Sequence, residues 1–207
     1  MKRRKKKMKK RLASLFIVGS FVGGLVPIAV QAQDVIGDGS AEIKVNGSIG
    51  LDNTDPTETI DEESEDWINV TLDTATIFYN ISGRTNIESP TYTIKNNSGR
   101  PVDVTITKFE KTNSESISEI SSLKFVSPEA SDTALISSGS VTDFETTPAR
   151  LFTLANNEGK LTSAGESTSA SETTFGYQGV LSSSTAAKSA PTFDLTLQLD
   201  AVSWTAP

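Results

Sequence analysis

The feature that most constrains the fold of this chain is a strict alternation of apolar and polar side chains in residues 192–199. Four apolar side chains share one face of this segment: Phe193, Leu195, Leu197 and Leu199. The intervening residues, Asp194, Thr196 and Gln198, share the other face. A period of two is that of a β-strand with one face on a core and the other in water. The segment therefore predicts a half-buried strand.

The same period, or a run of β-branched and aromatic residues, recurs in several short segments upstream. They are 67–73, 76–81, 90–96, 102–108, 123–126, 149–154 and 173–181. Their inward positions predict a core that contains Val70, Leu72, Tyr92, Ile94, Val102, Val104 and Ile106. Many short strands with frequent turns are typical of an all-β antiparallel sandwich, and that is the fold class we expect.

Three local details of this pattern carry further expectations. The turn residues 97–99 predict either a hairpin or a tight β-arch between two sheets. Phe109 breaks the alternation after Ile106, which indicates a bulge or the end of the strand. Ile117, Ile120 and Leu123 make residues 114–123 the one helical candidate, and we expect a short helix or a turn there.

The first 32 residues have the three-part composition of a secretory signal peptide. Nine of the first eleven residues are basic, residues 12–30 carry no charge, and Val30-Gln31-Ala32 supplies small residues for cleavage before Gln33. The alternative is an uncleaved anchor, because about 19 apolar residues just reach across a bilayer. Gly19, Gly23, Gly24 and Pro27 weaken such a span, so we expect cleavage and no stable membrane span afterwards.

The chain therefore divides into three predicted parts. Residues 1–32 form the signal peptide, and residues 33–66 form an acidic flexible segment with one possible short strand at 41–46. Residues 67–207 form the β-sandwich domain. The side chains of Asp52, Asn53, Asp55 and Glu58 are spaced roughly as oxygen ligands for Ca²⁺, although they lack the pattern of an EF-hand.

Charge and composition exclude several classes of function. Nine of the 19 basic residues lie in the signal, which leaves ten basic against 26 acidic residues and a net charge of −16 after cleavage. Such a surface repels nucleic acids, so no nucleic-acid partner is expected. The chain has no cysteine and no histidine, so disulfides, thiol chemistry and a Ser-His-Asp triad are absent. An exported chain without disulfides favours a bacterial source, and the long basic start favours a Gram-positive one.

The remaining candidates for chemistry are weak patterns. Ser121 and Lys124 fit a Ser-x-x-Lys spacing, which a serine-rich chain produces by chance. A carboxylate-only hydrolase would need two acids on opposite sides of a sugar. We expect no catalytic residues, no metal site and no cofactor. Aromatic side chains are the better candidates for contact with a ligand or the cell wall, and we choose Trp67, Tyr92 and Trp204.

Three segments carry a family resemblance. Residues 43–57, with their Asp55-Pro56-Thr57, the strand-turn-strand at 89–101 and the terminal Ser203-Trp204-Thr205 resemble small WxL-type surface proteins of low-GC Gram-positive bacteria. The defining Trp-x-Leu is absent, since Trp67 precedes Ile-Asn and Trp204 precedes Thr-Ala. The resemblance implies an all-β domain that associates non-covalently with peptidoglycan.

We therefore expect a secreted protein that is extracellular or associated with the cell wall and has a structural or binding role. Its partners would be peptidoglycan or other surface proteins. The first alternative is a subunit of a surface fibre, in which Ile43-Lys44-Val45 adds as a strand to a neighbour's sheet. The second alternative is a secreted hydrolase that uses carboxylates alone.

Overall fold

The computed structural model of this protein describes residues 49–204, and their regular structure is almost entirely β-strand. One turn of 3₁₀-helix, Glu65–Trp67, precedes the strands. The strands are β1 (Val70–Leu72), β2 (Tyr79–Asn80), β3 (Asn86–Glu88), β4 (Tyr92–Asn96), β5 (Val102–Lys111), β6 (Ile120–Ser127), β7 (Ala130–Ser137), β8 (Ser140–Val141), β9 (Ala149–Leu154), β10 (Glu172–Leu181) and β11 (Phe193–Ala201).

These strands form two antiparallel sheets around one apolar core. The larger sheet has the order β1-β4-β10-β6-β7-β8. Beyond the end of β4, β10 pairs with β3 instead, and β3 pairs on its other side with β2. The smaller sheet has the order β11-β5-β9. The predicted all-β, sandwich-like fold is therefore confirmed.

The core forms where the inward rows of the two sheets meet. Phe125 on β6 stacks on Phe175 of β10 with their ring centroids 5.2 Å apart, and Tyr177 packs edge-on against both. Four residues of the predicted core, Ile94, Val102, Val104 and Ile106, are fully buried. The apolar row of β11 faces this core as predicted, but it is only half-buried because β11 pairs with β5 alone.

The chain crosses between the sheets at the predicted turn. β4 belongs to the larger sheet and β5 to the smaller one, so residues 97–101 form a β-arch and not a hairpin. Further along β5, Thr196 lies opposite Lys108 and Leu197 opposite Ile106, which leaves Thr107 unpaired in a bulge. The extra residue returns Phe109 to the core face, and the predicted break in alternation is this bulge.

Other local expectations from the sequence are met only in part. Of the two forms expected for residues 114–123, the structure has the turn and no helix: the turn from Ile117 to Ile120 leads into β6, where Ile120 and Leu123 are buried as strand residues. Only Tyr79–Asn80 of the predicted strand 76–81 is paired. Trp67 lies in the 3₁₀ turn, so the first strand starts at Val70. β7 was not predicted, because only Leu135 and Ile136 of its residues are buried.

The boundary predicted at residue 67 also needs correction. Residues 52–66 belong to the same compact unit as the strands and pack on the β-arch. Asn53 O accepts a hydrogen bond from Gly99 N, and a Cβ on Gly99 would lie 2.8 Å from the Pro56 backbone. Only glycine permits this approach, so this part of the acidic segment is anchored to the domain.

The predicted signal peptide, residues 33–48 and the possible strand at 41–46 lie outside the described residues. Within residues 49–204, we find no helix with the length and apolar character needed to cross a bilayer.

Candidate functional site

Two of the three aromatic residues chosen from the sequence meet at the arch end of the sandwich. Trp67 lies on the 3₁₀ turn before β1, and Trp204 follows the last strand. The Arg100 guanidinium lies over both indole rings, with its Cζ 4.1 Å from the Trp67 centroid and 4.6 Å from the Trp204 centroid. Such cation–π contacts are strongest where the cation is removed from water, and Arg100 is buried.

A carboxylate completes this group, which we call the arch cluster: Glu62, Trp67, Arg100 and Trp204. Arg100 Nε and Nη2 donate to the two Glu62 oxygens at 2.9 and 2.6 Å, a bidentate ion pair. The Trp204 backbone N–H donates to Glu62 Oε2 at 3.2 Å. The Arg100 hydrogen bonds hold the pKa of Glu62 below its usual value, with the Trp204 N–H adding to this and burial opposing it.

The arch cluster joins distant parts of the chain. Arg100 Nη1 donates to Pro56 O at 2.9 Å, so the same guanidinium also holds the acidic segment. Glu62 and Trp204 are 142 residues apart in sequence. The side chain of Arg100 thus connects the segment before β1, the arch and the segment after β11.

Buried polar residues support the arch beneath this cluster. Asn96 Nδ2 donates to Arg100 O and Ala155 O, while its Oδ1 accepts from both the N–H and the hydroxyl of Ser98. Asn156 Nδ2 donates to Gly99 O. Asn96, Ser98 and Asn156 are fully buried, so their hydrogen bonds fix the path of the arch and thereby the position of Arg100.

The exposure of the two tryptophans differs. Trp67 is fully buried, so its predicted role as an exposed contact residue is wrong. Its ring lies under Arg100 and forms part of the interior at the arch end. Trp204 is partly exposed. Within residues 49–204, neither buried indole Nε1 has a hydrogen-bond acceptor. Trp204 therefore keeps part of its surface available to a partner, and Trp67 does not.

Tyr92 is not part of the arch cluster. Its ring packs against Phe175 and Tyr177, with centroids 5.5 and 6.4 Å away. Its hydroxyl accepts from the Ile77 N–H at 2.6 Å and donates to Ile77 O. These contacts give Tyr92 a structural role and confirm its predicted place beside the core, while its ring is only partly buried, so a ligand contact at this position stays a prediction.

In residues 52–58, the segment with a possible calcium spacing, aspartate oxygens accept hydrogen bonds from threonines of the same segment. Asp52 Oδ1 accepts from the N–H and hydroxyl of Thr54, and Asp55 Oδ1 accepts likewise from Thr57. These hydrogen bonds lower the pKa of both aspartates. In the part of the chain that the structure describes, no three acidic side chains gather as metal ligands.

A broad groove of about 710 Å³ crosses the larger sheet next to β10. Its lining includes two carboxylates, Glu88 and Asp132, among hydroxyl, glycine and proline residues. Asp132 forms an ion pair with Lys124 at 3.3 Å. Lys124, the lysine of the Ser-x-x-Lys pattern, thus has Asp132 on the neighbouring strand as its ion-pair partner.

Sequence reasoning missed Glu62 and Arg100. Glu62 lies in a run of acidic residues, and Arg100 follows turn residues that are typical of an exposed loop. Their pairing depends on the arch, whose type the sequence left open. The one signal was an isolated arginine beside Pro101 in a chain that is strongly acidic.

No protein-family model matches this sequence, and a search of curated proteins finds no significant relative.

Proposed function

We propose that this protein is an exported, non-catalytic cell-surface component that associates non-covalently with the cell wall or with partner surface proteins. The proposal starts from the predicted export signal, in which nine of the first eleven residues are basic and residues 12–30 are uncharged. The assignment to cell-surface proteins rests on the resemblance of residues 43–57, 89–101 and 203–205 to WxL-type proteins.

The observation that carries the binding role is the partly exposed Trp204 ring on a rigid support. Arg100 lies over this ring, and Glu62 fixes both the guanidinium and the Trp204 backbone. A rigid aromatic ring contributes contact area at little conformational cost, which is why tryptophan is enriched among residues that dominate binding. The net charge of −16 after cleavage repels anionic wall polymers, so contact would rest on stacking, hydrogen bonds or a protein partner.

The test is a pelleting experiment with isolated cell walls. Protein exported from cells that express the full chain is mixed with walls, with and without Ca²⁺, and the pelleted fraction is measured. We expect wild type and Trp204→Phe to pellet and Trp204→Ala to lose about tenfold in affinity, the effect of one hot-spot residue. Tyr79→Ala is the matched control, because Tyr79 is an exposed aromatic outside the arch cluster.

Unfolding curves for each variant separate lost contact from lost structure. Complete recovery of the wild type in the supernatant under both conditions, with no partner captured from a surface fraction, would contradict the proposal. Equal pelleting of Trp204→Ala and Tyr79→Ala would remove Trp204 from the binding surface.

One observation favours a second candidate, a carboxylate-dependent hydrolase. Glu88 and Asp132 line the same groove, which is the minimum that such chemistry requires. Release of soluble sugar fragments from walls, abolished by Glu88→Gln and unaffected by Glu129→Gln, would support it. If no sugar fragments are released during the pelleting experiment, hydrolysis of cell-wall sugars by this protein is excluded.

A further inference from the structure

We propose that the free edge of β11 accepts residues 41–49 of a second copy of this chain as an added β-strand. The inference rests on the proposed non-covalent association and names one partner for it. It concerns a surface separate from Trp204, so the two can fail independently.

The first support is the length of the β11 edge. β11 has nine residues and pairs only with β5, so one row of its backbone N–H and C=O groups has no strand beside it in residues 49–204. The other strands that stand at the ends of the two sheets are shorter: β1 has three residues, β8 has two and β9 has six. A long unpaired edge is a template for strand addition unless it is blocked.

The second support is that this edge lacks the usual blocking features. Charged residues stand only near its ends, at Asp194 and Asp200, and residues 195–199 carry no charge and no proline. The bulge between β11 and β5 lies on β5, at Thr107, and not on β11. The middle of β11 is thus open to a new strand.

The third support is the half-buried apolar row on the same strand. Phe193, Leu195, Leu197 and Leu199 pack against the core but keep part of their surface exposed. Phe78 contacts Phe193, with their centroids 5.9 Å apart, and its neighbours Ile77 and Tyr79 are exposed. A strand added beside β11 would cover this apolar margin with its own inward row.

The fourth support is the pattern of the donor. Apolar residues alternate at Ala41, Ile43, Val45 and Ile49, with Gly47 completing the row, and polar residues stand between them. Ile49, where the described chain begins, is fully exposed. A segment whose sequence alternates in this way matches an edge that offers an apolar row of the same period.

Donor and acceptor are different surfaces, so each copy can give one strand and receive one. Such a heterologous contact does not close on itself unless the rotation between copies forms a ring. The expected product is therefore an open chain of subunits or a ring, and not a symmetric dimer.

The first experiment measures mass against concentration by sedimentation, using exported protein and no cell walls. We expect the average mass to rise beyond twice that of the monomer for the wild type. The double variant Ile43→Asp/Val45→Asp should remain monomeric, because it places two charges in the apolar row. Asn46→Asp/Ser48→Asp is the matched control, since it adds the same two charges at polar positions of the segment, and it should still assemble.

A second experiment identifies the contact. The chain has no cysteine, so a copy with Val45→Cys can be mixed with a separately purified copy with Leu197→Cys and oxidised. We expect a disulfide-linked pair, and none when Val180→Cys, an exposed position on β10, replaces Leu197→Cys. Leu195→Cys serves as an alternative partner if the register differs by two residues.

Three results would overturn the proposal. They are a wild type that stays monomeric up to its solubility limit, assembly that survives Ile43→Asp/Val45→Asp, and the absence of a disulfide between the Val45→Cys copy and both the Leu197→Cys and the Leu195→Cys copies. Retained wall binding in a monomeric protein would reject this inference while leaving the proposed function intact.

Discussion

The arch end and the β11 edge of this sandwich are built in opposite ways. At the arch end, fully buried polar side chains such as Asn96 and Ser98 are satisfied by short hydrogen bonds, and Arg100 connects three separate segments. At the β11 edge, apolar side chains stay half-exposed beside an unpaired backbone. The difference indicates that the arch end holds the fold together, whereas the edge retains capacity for further contacts.

The largest expected effect is at the arch end. Arg100→Met removes the partner of Glu62 and the cation between two indoles, so we expect a loss of about 4 kcal/mol in the free energy of unfolding, measured with urea. Arg150→Met is the matched control, because Arg150 pairs with Asp103 on an exposed surface and should cost less than about 1 kcal/mol. Equal losses in the two variants would show that the arch end has no special role.

A smaller effect separates the centre of the small sheet from its edge. Ile106→Ala on β5 empties a fully buried position and should cost about 4 kcal/mol, whereas Leu197→Ala on β11 should cost about half as much. Both are measured on protein below its assembly concentration. If Leu197→Ala costs as much as Ile106→Ala, the edge is as well covered as the centre.

The smallest expected effect is the dependence of stability on pH through Glu62. Its pKa is lowered in the folded protein, so its contribution is present above the unfolded value of about 4.3 and is lost as the pH falls through the folded pKa. Glu62→Gln should therefore reduce the acid-induced loss of stability in urea titrations below about pH 4.5. The same acid dependence in wild type and variant would contradict the importance of the Arg100 ion pair.

Much of the fold follows from the sequence because strand alternation is a local signal. Residues 102–106 and 193–199 show it clearly, and they form β5 and β11. β7 lacks it, because only Leu135 and Ile136 among its residues are buried. The apparent helical spacing of Ile117, Ile120 and Leu123 arises from a turn followed by a strand, which period alone does not distinguish.

The candidate site was less predictable because it depends on contacts between distant residues. The choices of Trp204 and Tyr92 stay predictions, whereas Trp67 is fully buried under Arg100. Tyr92 packs against Phe175 but remains partly exposed. No local pattern connects Glu62 with Arg100. Their meeting follows from the β-arch, and the sequence left arch and hairpin equally open.

The hydrogen bond between Glu62 and the Trp204 backbone has a consequence for folding kinetics. It closes a separation of 142 residues, so it forms only after β11 has joined the small sheet. Contacts of such long range slow folding, because the chain entropy of closure is lost before the contact forms. Until β11 has joined, Arg100 lacks its contact with the Trp204 ring. We therefore expect the contacts of the arch cluster to be completed late in folding, when the segment before β1 and the segment after β11 become connected.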